Sequence, residues 1–75
     1  MMYPNTSQGR EDAEAKAQSD ANRYRSPRSV VYHSYTDTSC GNGYSITHFD
    51  TARDRARRFP AVVTIVAEYW PEDRD

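Results

Sequence analysis

The sequence predicts a small α+β fold: an N-terminal helix, then β-β-α-β, with a three-stranded sheet in spatial order 2-1-3 and both helices on one face. Three observations predict it. Ala13, Ala17, Ala21 and Tyr24 recur at helical spacing. Two β-branched and aromatic runs, SVVYHSYTD and YSITHF, flank Asn42-Gly43, a dipeptide that favours a tight hairpin turn. A third run, AVVTIVAEYW, follows a short Ala/Arg segment closed by Pro60.

Residues 1–9 offer only Tyr3 for burial, and read as a mobile N-terminus. Residues 10–70 read as one small domain, and residues 71–75 as a polar tail. The first helix runs from Arg10 to about Arg25, supported by the Asp12 and Lys16 pair four residues apart. Its alanine stripe buries little area, so it needs a surface to lie on. Ser26-Pro27 ends it, because the residue before a proline is pushed out of the helical region.

Ser29 to Asp37 forms the first strand and Tyr44 to Phe49 the return strand. A two-residue turn at Asn42-Gly43 would set Cys40 opposite Ser45 and His48 opposite Asp37. Asp50 or Thr51 caps a second helix over residues 52–58, where Asp54 and Arg58 pair and the arginines suit the negative end of the helix dipole. Ala61 to Trp70 returns parallel to the second strand, beside the first.

Composition bounds the function. The 75 residues carry ten Lys+Arg and eleven Asp+Glu, a net charge of −1, so the whole chain is neither a basic arm nor an acidic tail. There is no Leu; five Val, two Ile and two Phe stand beside eight Ala and six Tyr. The bulky residues concentrate between Val30 and Trp70, which makes a foldable but thinly cored domain that a partner or a second copy would stabilise. No apolar run approaches the ~20 residues that span a bilayer, so no membrane association is expected. No secretory signal is visible, and the single Cys40 suits a reducing cytoplasm, or a host cytoplasm for a phage-encoded chain.

Catalysis has little to stand on. Cys40, His33, His48 and Asp37 are the ingredients of a thiol enzyme, but the expected register leaves His48 on the order of 10 Å from Cys40 along the ladder. His33, Cys40 and His48 lack a fourth ligand and any zinc spacing, so neither metal nor cofactor is expected. The dull reading is a loop thiol and a cross-strand His-Asp pair.

Binding has more. Tyr32, Tyr35, Tyr69 and Trp70 on the strands exceed what one covered face can bury, and with Arg53, Arg57 and Arg58 they are the expected contacts for a protein partner. The alternative is nucleic acid, bound through Arg23, Arg25 and Arg28 around Tyr24 together with Arg55 and its helical neighbours. Against both stands the ordinary solvated helix face, in which Asp12 and Asp54 neutralise the arginines.

The stretch Val30 to Trp70, with ITHFDTARDRARRF followed by AVVTIVAEYW, resembles small phage and mobile-element proteins, including some anti-CRISPR proteins. The resemblance covers about forty residues, is one of pattern and size, and leaves out the alanine helix. It implies a non-enzymatic inhibitor that binds a CRISPR effector complex, often where the effector would hold nucleic acid. It carries over no functional residue. The sequence reading is therefore a small binding protein that acts by occupying a surface.

Overall fold

The computed structural model describes residues 3–34 and 42–72. Its elements are β1 (Tyr3–Pro4), α1 (Ser7–Tyr24), β2 (Arg28–His33), β3 (Gly43–His48), α2 (Phe49–Arg58) and β4 (Val63–Tyr69). The sheet is four-stranded and antiparallel, in the order β1-β3-β2-β4. The three expected strands keep their predicted order. The fourth, β1, comes from the segment read as a mobile terminus, because Tyr3 lies opposite Tyr44 at the sheet margin. Pro4, which has no N–H to give a ladder, is tolerated at such an edge.

The same segment starts α1 three residues earlier than the alanine stripe suggests. Thr6 is extended and its Oγ1 accepts the Gly9 N–H at 3.0 Å, which fixes the first turn. Gly9 is required there: a Cβ would lie 2.0 Å from the Pro4 carbonyl oxygen. The helix ends at Arg25, whose left-handed φ of 54° returns its N–H to the Ala21 carbonyl. Along α1, Lys16 pairs with Asp20 at 3.0 Å, and Asp12 accepts instead from Gln8.

The helices lie on opposite faces of the sheet, which corrects the one-face expectation. Neighbouring residues of a strand point to opposite sides. Val30 packs with Ala13 and Ala17 of α1, whereas Val31 packs with Ala52 and Ala56 of α2. Two consecutive valines on the central strand give each helix its own apolar anchor.

The β2–β3 register also differs from the tight-turn expectation. Tyr32 lies opposite Tyr44 and Val30 opposite Ile46, so residues 34–42 connect the strands in place of a two-residue turn at Asn42-Gly43. A tight turn would have set Ile46 against Ser39 and left Val30 without a partner on β3. Matching the apolar side chains wins over the turn signal. Consequently His48 faces Arg28 and not Asp37, and Ser45 faces Val31 and not Cys40. Tyr35, Asp37 and Cys40 themselves lie outside the described residues.

On the other side of β2 the pairing carries a β-bulge. Val30 lies opposite Ala67 but Val31 opposite Ile65, so Val66 is the extra residue. The insertion resets the alternation of side chains. Val66 joins the α1 face, Glu68 turns to α2, where it meets Arg53, and Tyr69 turns back to α1. Among the described residues, no helix is long and apolar enough to cross a membrane.

Candidate nucleic-acid interface at one end of the sheet

The arginines differ less in sequence than in their neighbours. In α2, Arg57 meets Asp54 at 2.9 Å, Arg58 meets the same carboxylate at 3.2 Å, and Arg53 meets Glu68 at 3.2 Å. The helical spacing of Asp54 with Arg58 is one the sequence displays; the Arg53–Glu68 pair comes from the fold. In contrast, Arg23, Arg25 and Arg28 have no ion pair among the described residues.

These three flank the C-terminal turn of α1. Tyr24 is 57% exposed, and the guanidinium carbons of Arg23 and Arg28 each lie 5.5 Å from the centre of its ring. That is within the range of a cation–π contact. Arg28 also donates to the Ser26 hydroxyl at 3.3 Å and to the Pro27 carbonyl at 3.5 Å, which aims it back along the turn. Arg25, the left-handed cap of the helix, is exposed.

Register gathers the rest of this end. Arg28 lies opposite both His48 on β3 and Tyr69 on β4. The next residues, Phe49 and Trp70, pack with ring centres 5.0 Å apart and planes tilted by 59°, and Trp70 is 55% exposed. Arg53 lies 4.3 Å over the Phe49 ring. Trp70 is tied to α1 because Gln18 donates to its carbonyl at 3.0 Å, and Asn22 exchanges hydrogen bonds with Glu72. His48 caps α2, a role expected of Asp50 or Thr51. Its Nδ1 accepts the Asp50 N–H at 3.4 Å, which leaves Nε2 to donate to the Ser26 hydroxyl at 3.0 Å. Among the described residues, the acidic groups at this end include Asp50, Glu72 and the Arg53-paired Glu68.

The remaining expected contacts lie elsewhere. Tyr32 is half-buried, its ring 5.2 Å from that of Tyr44. Tyr69 is half-buried beneath α1, where burial, then the charge of Glu14 and a hydrogen bond to it, push the phenol above its ordinary value. Tyr35 is outside the described residues. Arg55 lines a cleft at the opposite end of β2 with His33, Phe59, Val62 and Val63.

His33 and His48 close opposite ends of the β2–β3 ladder and do not meet. His33 is buried, with Nε2 2.6 Å from the Ser45 hydroxyl. Burial, and then the positive charge of Arg55, hold its imidazole below the ordinary 6.5, so it is neutral at pH 7. Among the described residues, no group of three or more His, Cys, Asp or Glu could hold a metal ion. Sequence reasoning had Tyr24 and the arginines around it. It missed His48 as a cap and Phe49 as the partner of Trp70, since both depend on the register. Comparisons with known protein families, with curated proteins and with solved structures found no match to this chain.

Proposed function

We propose that the protein is a non-enzymatic binding protein that acts by surface occupation, with the basic–aromatic end of the sheet as its contact face and a single-stranded nucleic acid as its partner. The observation that carries this reading is the exposed Tyr24 ring with two guanidinium groups, each 5.5 Å from its centre, that have no ion pair among the described residues. Single strands are held by cations that track phosphates and by aromatic rings on which bases stack, and the two occur together here. Trp70 on Phe49 supplies a second stacking surface at the same end.

The test is fluorescence anisotropy of a labelled twenty-nucleotide DNA strand. Three phosphate contacts give a log–log salt slope of about −2, or roughly a twentyfold loss of affinity between 50 and 200 mM salt. Replacing Arg23, Arg25 and Arg28 together by Gln abolishes most of that slope, while Arg53, Arg57 and Arg58 together to Gln changes it little. Absence of binding at 50 mM salt, or equal effects of the two triple variants, overturns the reading.

A protein partner is the second reading, favoured by two large exposed aromatic rings, Trp70 and Tyr24. Such rings anchor protein interfaces. With the likeness to anti-CRISPR proteins, that partner is a CRISPR effector complex, and the protein its inhibitor. Binding that survives 200 mM salt and is lost in Trp70→Ala, with no oligonucleotide affinity, supports this second reading over the first.

A further inference from the structure

At the far end of β2 from the arginine–tyrosine cluster, a cleft of about 250 Å³ is bounded by His33, Arg55, Phe59, Val62 and Val63. We propose that this cleft binds a small aromatic carboxylate, with Arg55 receiving the carboxylate and Phe59, Val62 and Val63 receiving the ring. The proposal does not depend on the nucleic-acid reading, since none of these residues lies at the basic–aromatic end.

Size sets the first limit. The cleft holds the liquid volume of about eight waters, and is smaller than the roughly 300–1,000 Å³ that takes a drug-sized ligand. A single ring with one charged group is the scale that fits.

Charge sets the second. Arg53, Arg57 and Arg58 each have a carboxylate partner, with Asp54 already shared by two of them. Arg55 alone among the α2 arginines has no ion pair among the described residues, and it lines the cleft. A guanidinium whose donors have no partner among the described residues matches a carboxylate by a bidentate pair.

The wall sets the third. Phe59 is 56% exposed although it closes α2, and Val62 and Val63 follow it on the turn into β4. The turn is pinned by the Phe59 carbonyl, which accepts the N–H of Val62 at 3.1 Å and of Val63 at 2.9 Å. His33 forms the floor, fixed by its hydrogen bond to Ser45. A free phosphate or acetate would leave the apolar wall unused, and a neutral ring would leave Arg55 unused.

The experiment is a two-dimensional amide NMR titration of the full chain with sodium benzoate, with sodium acetate and benzyl alcohol run in parallel. The expected result is a saturable shift at Arg55, Phe59, Val62 and Val63 for benzoate, with either control at least tenfold weaker. Arg55→Gln, a change at an exposed side chain, weakens benzoate at least tenfold while the rest of the spectrum stays in place. Non-saturating shifts, acetate or benzyl alcohol as effective as benzoate, or unchanged affinity in Arg55→Gln each overturn the proposal. Phe59→Ala supplies the second variant: retained benzoate affinity there overturns the assignment of the ring.

Discussion

On the α1 face of the sheet, Val30 meets Ala13 and Ala17, with Tyr3, Tyr44, Ile46, Val66 and Tyr69 around them. On the α2 face, Val31 meets Ala52 and Val63, with Ala56, Val62 and Ile65 around them. The α2 face also buries two polar residues, Ser29 and His33. The first face uses alanine to let a long helix approach large neighbours; the second has smaller neighbours and polar groups beneath a short helix. The larger apolar cluster lies on one side of the central strand, and the buried polar groups lie on the other.

Val30→Ala is the severest test of that difference. It removes two methyl groups from the larger cluster, and a loss of about 2–3 kcal/mol is expected. At roughly 4–8 °C per kcal/mol for a domain of this size, thermal unfolding followed by circular dichroism drops by about 10–20 °C. Val31→Ala, among smaller neighbours, costs about 1–2 kcal/mol in the same measurement. Equal losses would break the comparison.

Gly9→Ala comes next, at about 1–3 kcal/mol, because the added methyl collides with the Pro4 backbone and must lift β1 or the start of α1. Faster amide exchange at Tyr44, opposite Tyr3, reads that detachment directly.

The pH prediction concerns the α2 face alone. His33 has a folded value below its ordinary 6.5, so protonation favours the unfolded chain. Its contribution is fully present above 6.5 and is lost as pH falls through the folded value. The melting temperature of the parent therefore falls between pH 7.5 and 5.5 by more than that of His33→Gln. Parallel profiles would remove the buried imidazole from the account.

The smallest effect has the opposite sign. Ser29 is fully buried, and its hydroxyl oxygen has no hydrogen-bond partner among the described residues. An unsatisfied buried polar group costs stability. Ser29→Ala is expected to leave the melting temperature unchanged or raise it, and a clear fall would mean that the hydroxyl is satisfied.

Much of this arrangement was legible from periodicity. The alanine stripe located α1, and the three long strands appear in the predicted order because a hairpin followed by a helical crossover leaves few alternatives. The faces were not read correctly, although Val30 and Val31 carried the signal: two adjacent bulky residues in a central strand imply cover on both sides. The register was misread because Asn42-Gly43 is a local signal, whereas Val30 opposite Ile46 is a long-range one. At the candidate site, composition grouped the arginines by sequence distance. Their pairing separates them, and Glu68 reaches Arg53 only because of the fold.

The bulge at Val66 bears on how this sheet meets other chains. Because the Val62 carbonyl accepts the Ser34 N–H, Val62 and Thr64 turn their backbone groups towards β2, and Val63 and Ile65 turn theirs outward. The extra residue places the next outward position at Glu68, so the margin of β4 that no described strand pairs with presents its donors and acceptors at a spacing of two and then three. A regular strand laid along it falls out of step half-way. The irregularity that turns Glu68 towards Arg53 thus also makes the long edge a poor template for sheet extension, and association with a second copy would have to use another surface.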